Sequence, residues 1–307
     1  MRLRNRFCHI TMVTIVIVIT VRAVAAQSQA TALPKASSPI NVDGVLDDAA
    51  WKNASPIRVD YLNGQVGKLS ETPHMTVRYA WDGDYLYIGY ETFDSNLVGL
   101  GNDRVDGPDD NRRPGCQIYD PVRKADVVEF FISFGDRRFF WELHHNAANQ
   151  FNDVWNIALD DDWPIAKSTY APFGILFEDR ETIADDAAGN RRLTMAVQLK
   201  PREDGKPSTL NNSDDKDAGY TAELRIPWLG LGPPRDRQTF VTVQVGDAKR
   251  RINGPWKMEG QELSILAVLQ DGDLEQRYHH SSPTFPGGWF QKDAANWPRY
   301  LLTNGQQ

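Results

Sequence analysis

The segment INVDGVLDDAAW, which runs from Ile40 to Trp51, decides the fold. It starts with the β-type pair Ile40 and Val42, turns at Asp43-Gly44, continues through acidic residues and ends on a tryptophan. The segment is too polar to be a core strand and too regularly patterned to be a linker. A β-type start followed by an Asp-Gly turn predicts that a β-rich domain begins here.

The residues after Trp51 repeatedly alternate apolar and polar side chains with a period of two, which is typical of strands rather than helices. Residues 74–92 (HMTVRYAWDGDYLYIGYET) form two such runs around Asp82-Gly83, a strong hairpin signal. Residues 126–145 (DVVEFFISFGDRRFFWELHH) predict a second hairpin that turns near Gly135-Asp136. Four more strands are predicted in RLTMAVQLK (192–200), GYTAELRIPW (219–228), TFVTVQVGDA (239–248) and ELSILAVLQ (262–270).

Many strands punctuated by Gly, Pro, Asn and Asp indicate an all-β fold, either an antiparallel sandwich or a barrel. Three polar stretches, 95–124, 145–190 and 201–218, are too long for hairpin loops and are predicted to be insertions. The sequence shows no repeat and no domain linker after residue 38, so one domain is predicted over residues 39–304.

The first 26 residues have the order of a cleavable signal peptide: Arg2, Arg4 and Arg6, an apolar run from Ile10 to Val21, and then small residues. The alternative is an uncleaved anchor, because Arg22 closes the apolar run. Residues 27–38 are read as a polar spacer. We therefore expect a secreted or periplasmic protein with no membrane association once the signal is removed.

Charge and cysteine content narrow the class of partner. The net charge is −7, and cleavage removes arginines but no acid, so a nucleic-acid partner is not expected. Cys8 would leave with the signal, and Cys116 alone remains. An intrachain disulfide is therefore not expected.

Three glutamates lie on predicted strands: Glu129, Glu142 and Glu223. Two carboxylates about one sugar ring apart would make a glycosidase. The alternative is a strand glutamate that faces solvent, since the period of two places Glu129 on the other face of the strand from its neighbours Val128 and Phe130. If the carboxylate in the apolar run VVEFFI is buried, it must be hydrogen-bonded, salt-bridged or metal-bound.

Two other residue types are candidates for ligand contacts. Adjacent His144 and His145 point to opposite faces of a strand and do not easily ligate one ion. Trp163, Trp256 and Trp289 lie in loops rich in Pro, Gly or Asp, where an exposed indole ring would serve as a platform for a pyranose or as a loop anchor. The acidic clusters at 106–110, 160–162 and 214–217 are read as solvated loops, with calcium as the alternative.

INVDGVLDDAAW resembles the N-terminal signature of carbohydrate-binding module family 9. Five further stretches resemble elements of that family in the same order: VRYAWDGDYLYIGYETFDSNL (77–97), ADVVEFFIS (125–133), GYTAELRIPWLGLG (219–232), VTVQVGDA (241–248) and GGWFQKDAANWPRYLL (287–302). The resemblance covers residues 40–304. It implies an all-β, antiparallel β-sandwich of two sheets, immunoglobulin-like or jelly-roll-like, that starts with an edge strand at Ile40 and has Trp51 plugging one end.

The same resemblance implies non-catalytic sugar binding, in which two tryptophans clamp a terminal sugar. Glu129 is similar to the family's sugar-contacting glutamate, and Trp289 to the tryptophan of the closing loop. Tyr119 lies where the second clamp tryptophan is expected, and Trp256 is a further candidate. Glu142 and His144 stand where the family has an Arg-x-Asn pattern.

Structural calcium is also implied, with Asp94 and Asp126 at strand ends as the expected ligands. The sequence thus predicts an exported, non-catalytic carbohydrate-binding protein that serves polysaccharide catabolism and takes a mono-, oligo- or polysaccharide ligand. Two alternatives stay open. One is a haem b-binding sandwich that uses His144, His145, Met195 or Met258, and the other is a glycoside hydrolase that uses the strand glutamates.

Overall fold

The computed structural model describes residues 30–62, 73–99, 125–134, 139–158, 164–168, 193–228, 231, 240–245, 248–253, 257–272, 276–280 and 297–304. The helix and strands within these ranges are, in chain order, β1 (Thr31–Pro34), α1 (Ala49–Asn53), β2 (Ile57–Leu62), β3 (His74–Trp81), β4 (Tyr85–Phe93), β5 (Val127–Phe134), β6 (Phe139–His145), β7 (Phe151–Ala158), β8 (Pro164–Ser168), β9 (Thr194–Leu199), β10 (Tyr220–Pro227), β11 (Phe240–Val245), β12 (Ala248–Asn253), β13 (Glu262–Asp271), β14 (Gln276–His280) and β15 (Arg299–Thr303). The short helix α1 could not cross a membrane.

Strand pairing follows the order β8-β7-β6-β5-β13-β14-β2-β3-β4-β10-β9, and β11 pairs separately with β12. The first half, β5 to β8 with β13, is called layer A, and the second half, β2 to β4 with β9 and β10, is called layer B. The two layers meet at β14, where the register shifts between His279 and His280. All pairs are antiparallel except β1 with β15. The all-β sandwich fold is confirmed.

One hydrophobic core lies between the layers and draws its side chains from both. Val77, Ile88 and Leu224 of layer B are fully buried, as are Phe130 and Leu263 of layer A. The ring centroids of Tyr90 and Phe130 lie 5.7 Å apart, which shows the direct contact of the two layers. Because side chains alternate along a strand, the residues between these core positions face outward from the sandwich.

The predicted hairpins are confirmed as β3–β4 and β5–β6. The strands predicted in residues 192–200, 219–228, 239–248 and 262–270 are also present, as β9, β10, β11 and β13.

Three predictions about strand placement are wrong. Strands β7 and β8 lie inside 145–190, which was predicted to be a loop insertion, because the Asn and Asp residues of FNDVWNIA obscure the apolar alternation. Strand β1 lies inside the predicted spacer 27–38. Ile40 and Val42 form no strand, because local bonds such as Asn41 N–H to Asp48 Oδ2 (2.9 Å) hold the segment in turns.

The prediction that Trp51 plugs one end of the sandwich is wrong. Trp51 is buried in a small cluster with Ile40, Tyr85 and Tyr87 on the outer face of layer B. Gly89 of β4 lies directly beneath the indole, where an added Cβ would stand 3.1 Å from the ring. Gly44 has φ +89° and lies against the backbone of β9. The opening segment is therefore a clasp that closes over layer B.

Candidate functional site

The outer face of layer A carries a group of polar side chains. Along β5, Val128 and Phe130 point into the core, so Glu129 and Phe131 point to the opposite face. The register pairs Glu129 with His144 of β6 on one side and with Val268 of β13 on the other. Three predicted site residues, Glu129, Glu142 and His144, therefore share one face of one sheet.

Two short-range relationships define this group. His144 Nε2 lies 3.1 Å from Glu142 Oε1, within hydrogen-bonding distance. Gln270 of β13 lies two residues from Val268 and opposes Val127, which places it diagonally next to Glu129. We refer to Glu129, Glu142, His144 and Gln270 as the polar patch.

Gln270 is the member that sequence reasoning missed. Its signal was present, because ELSILAVLQ alternates with a period of two and ends on an amide. The pattern alone does not say that this amide reaches the same face as Glu129, since that follows only from the β5–β13 register.

All four members of the polar patch are buried: Glu129 is 2% exposed, Glu142 6%, His144 4% and Gln270 3%. Burying a carboxylate is costly unless hydrogen-bond donors surround it. The fold must therefore supply donors to Glu129 and Glu142. The alternative of a strand glutamate that faces solvent therefore does not hold for Glu129.

An aromatic cluster adjoins the polar patch on the same face. Phe131, which opposes Glu142, meets Phe140 and Trp297 at ring-centroid distances of 6.3 Å and 5.7 Å. Phe140 and Trp297 form a T-shaped pair at 5.1 Å. All three rings are buried, so a packed apolar cluster lies beside the hydrogen-bonding groups of the polar patch. The candidates Trp289, Trp256 and Tyr119 lie outside the described residues.

Glu223 does not join this site. It lies on the outer face of layer B, where Oε2 accepts the backbone N–H groups of Asp43 and Gly44, both at 2.8 Å. Its Oε1 accepts the indole N–H of Trp51 at 2.7 Å. Burial raises the pKa of the Glu223 carboxyl, and these three donors oppose that rise. Glu223 cannot act with Glu129 or Glu142 across one sugar ring, because the core separates them.

Asp94 and Asp126, the predicted calcium ligands, lie together at one end of the sandwich. Asp126 accepts the backbone N–H groups of Val98 (2.5 Å) and Gly272 (2.9 Å). Burial, and then the charge of Asp94, raise the pKa of Asp126 to about 8, although the two N–H donors oppose that rise.

A bound cation would offset the negative charge of the Asp94 and Asp126 carboxylates. Among the described residues, however, no group of three or more His, Cys, Asp or Glu side chains converges as a metal site. Carboxylate oxygens suit calcium, but Asp94 and Asp126 alone supply too few ligands.

The candidate haem ligands are divided between the core and the outer face of layer A. Tyr90 O–H lies 2.6 Å from His145 Nδ1, and His145 Nε2 lies 2.9 Å from Asn149 Oδ1, so both ring nitrogens are engaged. Met258 and Met195 pack in or against the core, whereas His144 lies on the outer face of layer A.

Comparison with known proteins supports the sandwich. The family model described as "Carbohydrate family 9 binding domain-like" matches residues 42–138. A presumed carbohydrate-binding protein from Bacteroides uniformis ATCC 8492 has a similar structure, with a TM-score of 0.51, 12% identity and coverage of 89% of this chain and 99% of that chain. No curated protein sequence matches.

Two structures of a family 9 carbohydrate-binding module from Caldicellulosiruptor kristjanssonii also align, each at 13% identity and over 91% of this chain. The cellotriose complex has a TM-score of 0.46 and is covered over 96% of its chain, and the glucose complex has a TM-score of 0.47 and is covered over 98%. The family match covers most of the clasp, β3–β4 and β5, and this part of the chain is similar to the carbohydrate family 9 binding domain-like family.

Proposed function

We propose that this chain is an exported, non-catalytic carbohydrate-binding protein whose ligand lies on the outer face of layer A. The observation that carries the proposal is the polar patch beside the aromatic cluster on a family 9-like sandwich. Saccharides need both kinds of surface, since their hydroxyls hydrogen-bond to planar polar groups while their C–H faces rest on aromatic rings.

Each member of the polar patch has a chemical role in this proposal. Glu129 accepts hydrogen bonds from sugar hydroxyls, and Gln270 supplies an amide that both donates and accepts. Glu142 accepts further hydroxyls while His144 holds its carboxylate in place through the 3.1 Å contact. We assign the stacking role to Trp289, with Trp256 and Tyr119 as further contacts.

A glycoside hydrolase is the second candidate, because Glu129 and Glu142 occupy diagonal positions on one face, about 7–8 Å apart at the backbone. Such an enzyme needs one carboxyl group to hold a proton as the general acid. One oxygen of Glu142 is already engaged by His144 Nε2 at 3.1 Å, whereas a general acid must deliver its proton to the leaving group, which favours binding over catalysis. As a binding protein, it would deliver or retain saccharides for separate enzymes of polysaccharide catabolism.

Calcium is proposed as a structural ion near Asp94 and Asp126. The support is electrostatic: two buried carboxylates close enough to raise the pKa of Asp126 are relieved by a cation. The remaining ligands would have to come from backbone carbonyls, water or residues outside the described ranges.

Titration of the mature chain with soluble mono- and oligosaccharides, followed by tryptophan fluorescence with and without calcium, tests the proposal. We expect a saturable change that disappears in Glu129→Gln and Trp289→Ala and persists in Glu203→Gln, an exposed control on the layer B side. Product analysis of the same mixtures separates binding from turnover. Saturation without product supports the binding protein, whereas product that is lost in Glu129→Gln supports the hydrolase. If the fluorescence of the folded protein does not change with any of the saccharides, sugar binding is refuted.

A further inference from the structure

Three hydrogen-bonded side chains link layer B to layer A through the core. The hydroxyl of Tyr90 on β4 lies 2.6 Å from His145 Nδ1, at the end of β6. On the other side of the ring, His145 Nε2 lies 2.9 Å from Asn149 Oδ1, in the turn that follows β6. Tyr90 and His145 are fully buried, whereas Asn149 is exposed. We refer to Tyr90, His145 and Asn149 as the hydrogen-bond chain.

The two partners of His145 decide which of its ring nitrogens carries the proton. The amide oxygen of Asn149 can only accept, so His145 Nε2–H donates to it. A neutral imidazole has one N–H, which leaves Nδ1 as the acceptor of the Tyr90 O–H. Burial lowers the pKa of His145 to about 4, so the ring is neutral at neutral pH. The hydrogen-bond chain therefore runs in one direction, from Tyr90 to Asn149.

Hydrophobic packing alone would not require these polar groups. Tyr90 lies in the hydrophobic core, where its ring contacts that of Phe130. Packing of this kind is non-directional, and apolar groups of the same shape can replace a buried hydrogen-bonded pair at nearly no cost in stability. A satisfied buried network instead specifies one arrangement of the elements that carry it. In this protein those elements are β4, the end of β6 and the turn after it.

The end of β6 also carries part of the polar patch. His145 is the last residue of β6 and pairs with Val128, while the preceding residue, His144, pairs with Glu129. Consecutive side chains of a strand point to opposite faces. A His145 ring that is fixed in the core therefore fixes the direction in which His144 points on the outer face. Strand ends open most readily, so an anchor is most effective at this position.

We propose that Tyr90, His145 and Asn149 are positioning residues for the outer face of layer A. They hold the end of β6 so that His144 keeps its 3.1 Å contact with Glu142. The functional consequence rests on the proposed sugar binding, because the hydrogen-bond chain then sets the affinity of a site that it does not touch.

Nuclear magnetic resonance of the mature chain with isotope-labelled histidine tests the positioning without a ligand. Tyr90→Phe keeps the ring in the core and removes the donor to His145 Nδ1, so we expect the ring signals of His144 to shift. These signals are assigned by their absence from His144→Gln. Tyr220→Phe is the matched control, because it also removes a buried hydroxyl, which lies 3.5 Å from that of Tyr90. It should leave the His144 signals unchanged.

A second pair of variants tests the other end of the hydrogen-bond chain. Asn149→Gly removes the acceptor of His145 Nε2–H, and glycine suits the φ of 56° at this position. Asn149→Asp keeps an acceptor there and should retain the native His144 signals, whereas Asn149→Gly should shift them. Because Asn149 is exposed, this pair decides the question if Tyr90→Phe melts too early to measure.

Titration of the same four variants with glucose, maltotriose and cellotriose measures the effect on binding, at a temperature at which each variant is folded. For a saccharide that binds the native protein, we expect Tyr90→Phe and Asn149→Gly to raise the Kd about fivefold or more, which corresponds to roughly one hydrogen bond. Tyr220→Phe and Asn149→Asp should keep the native Kd.

Several results would overturn the positioning role. One is a set of unchanged His144 signals in both Tyr90→Phe and Asn149→Gly. Another is an equal shift in Tyr90→Phe and Tyr220→Phe, which would indicate a general loosening of the core. Shifted signals with an unchanged Kd would show that the hydrogen-bond chain does not serve the site. If none of the three saccharides binds the native protein, the proposed function fails by itself, and the His144 signals still decide whether the chain holds β6.

Discussion

The indole N–H of Trp51 donates to Glu223 Oε1 at 2.7 Å, across 172 positions of sequence. The other oxygen of Glu223 accepts the backbone N–H groups of Asp43 and Gly44. One buried carboxylate of β10 therefore holds both the turn and the tryptophan of the clasp. This explains why the opening segment contains both an Asp-Gly turn and a tryptophan.

Removing the acceptor should loosen the clasp. In Glu223→Gln, an amide NH2 must face either the indole or the two backbone N–H groups, so at least one buried donor loses its partner. We expect a loss of about 2–4 kcal/mol in the free energy of unfolding, measured by urea denaturation. Glu203→Gln is the exposed control and should change by less than about 0.5 kcal/mol. A neutral result for Glu223→Gln would mean that the clasp does not contribute to stability.

Gly44 should be intolerant of a side chain for two separable reasons. It has φ +89°, and an added Cβ would stand 2.8 Å from the backbone carbon of Val197. Gly205 has a similar φ of +80° but open space around it. We expect Gly205→Ala to cost about 1 kcal/mol through backbone strain alone. Gly44→Ala should cost at least about 1 kcal/mol more, because the steric clash adds to the strain.

Equal destabilisation of the two glycine variants, compared by urea denaturation under the same conditions, would show that the clasp shifts freely away from β9. A larger loss in Gly44→Ala would show that the turn is held against the strand.

His145 should make stability depend on pH. Burial lowers the pKa of His145 to about 4 in the folded protein, whereas an unfolded histidine titrates near 6.5. Below pH 6.5 the unfolded state binds the extra proton, so stability falls as the pH drops towards 4. The loss attributable to this residue reaches about 3 kcal/mol at pH 4.

The measurement is the free energy of unfolding of the native protein and of His145→Gln at several values between pH 7 and pH 4. We expect the advantage of the native protein over the variant to shrink steadily across this range. An advantage that stays constant with pH would show that His145 is not held neutral between Tyr90 and Asn149.

Asp94→Asn tests the calcium proposal. The amide oxygen can still accept the Asn96 N–H, which lies 3.0 Å from Asp94 Oδ1, while the charge that raises the pKa of Asp126 disappears. Without calcium, we expect the variant to match or exceed the Tm of the native protein. Added calcium should raise the Tm of the native protein and not that of the variant.

The control for the calcium measurement is Asp214→Asn, which removes an exposed acid from another loop. It should keep the calcium response. If calcium leaves the Tm of the native protein unchanged after treatment with a chelator, the ion has no structural role at this end of the sandwich.

Much of the architecture followed from local pattern, because a strand with one face in the core alternates with a period of two. Asp82-Gly83 between two such runs was enough to predict β3 and β4, and ADVVEFFIS was enough for β5. The pattern failed where polar residues interrupt it, as in FNDVWNIA of β7, and where a strand is short, as in β1.

The sequence by itself determined the β-class, the main hairpins, the family resemblance and the identity of Glu129, Glu142 and His144 as candidates. Only the tertiary structure decided that these three share a face with Gln270 and that Glu223 instead anchors Trp51. The reason is physical: alternation along one strand assigns a residue to one of two faces, but the register between strands distant in sequence decides which residues meet.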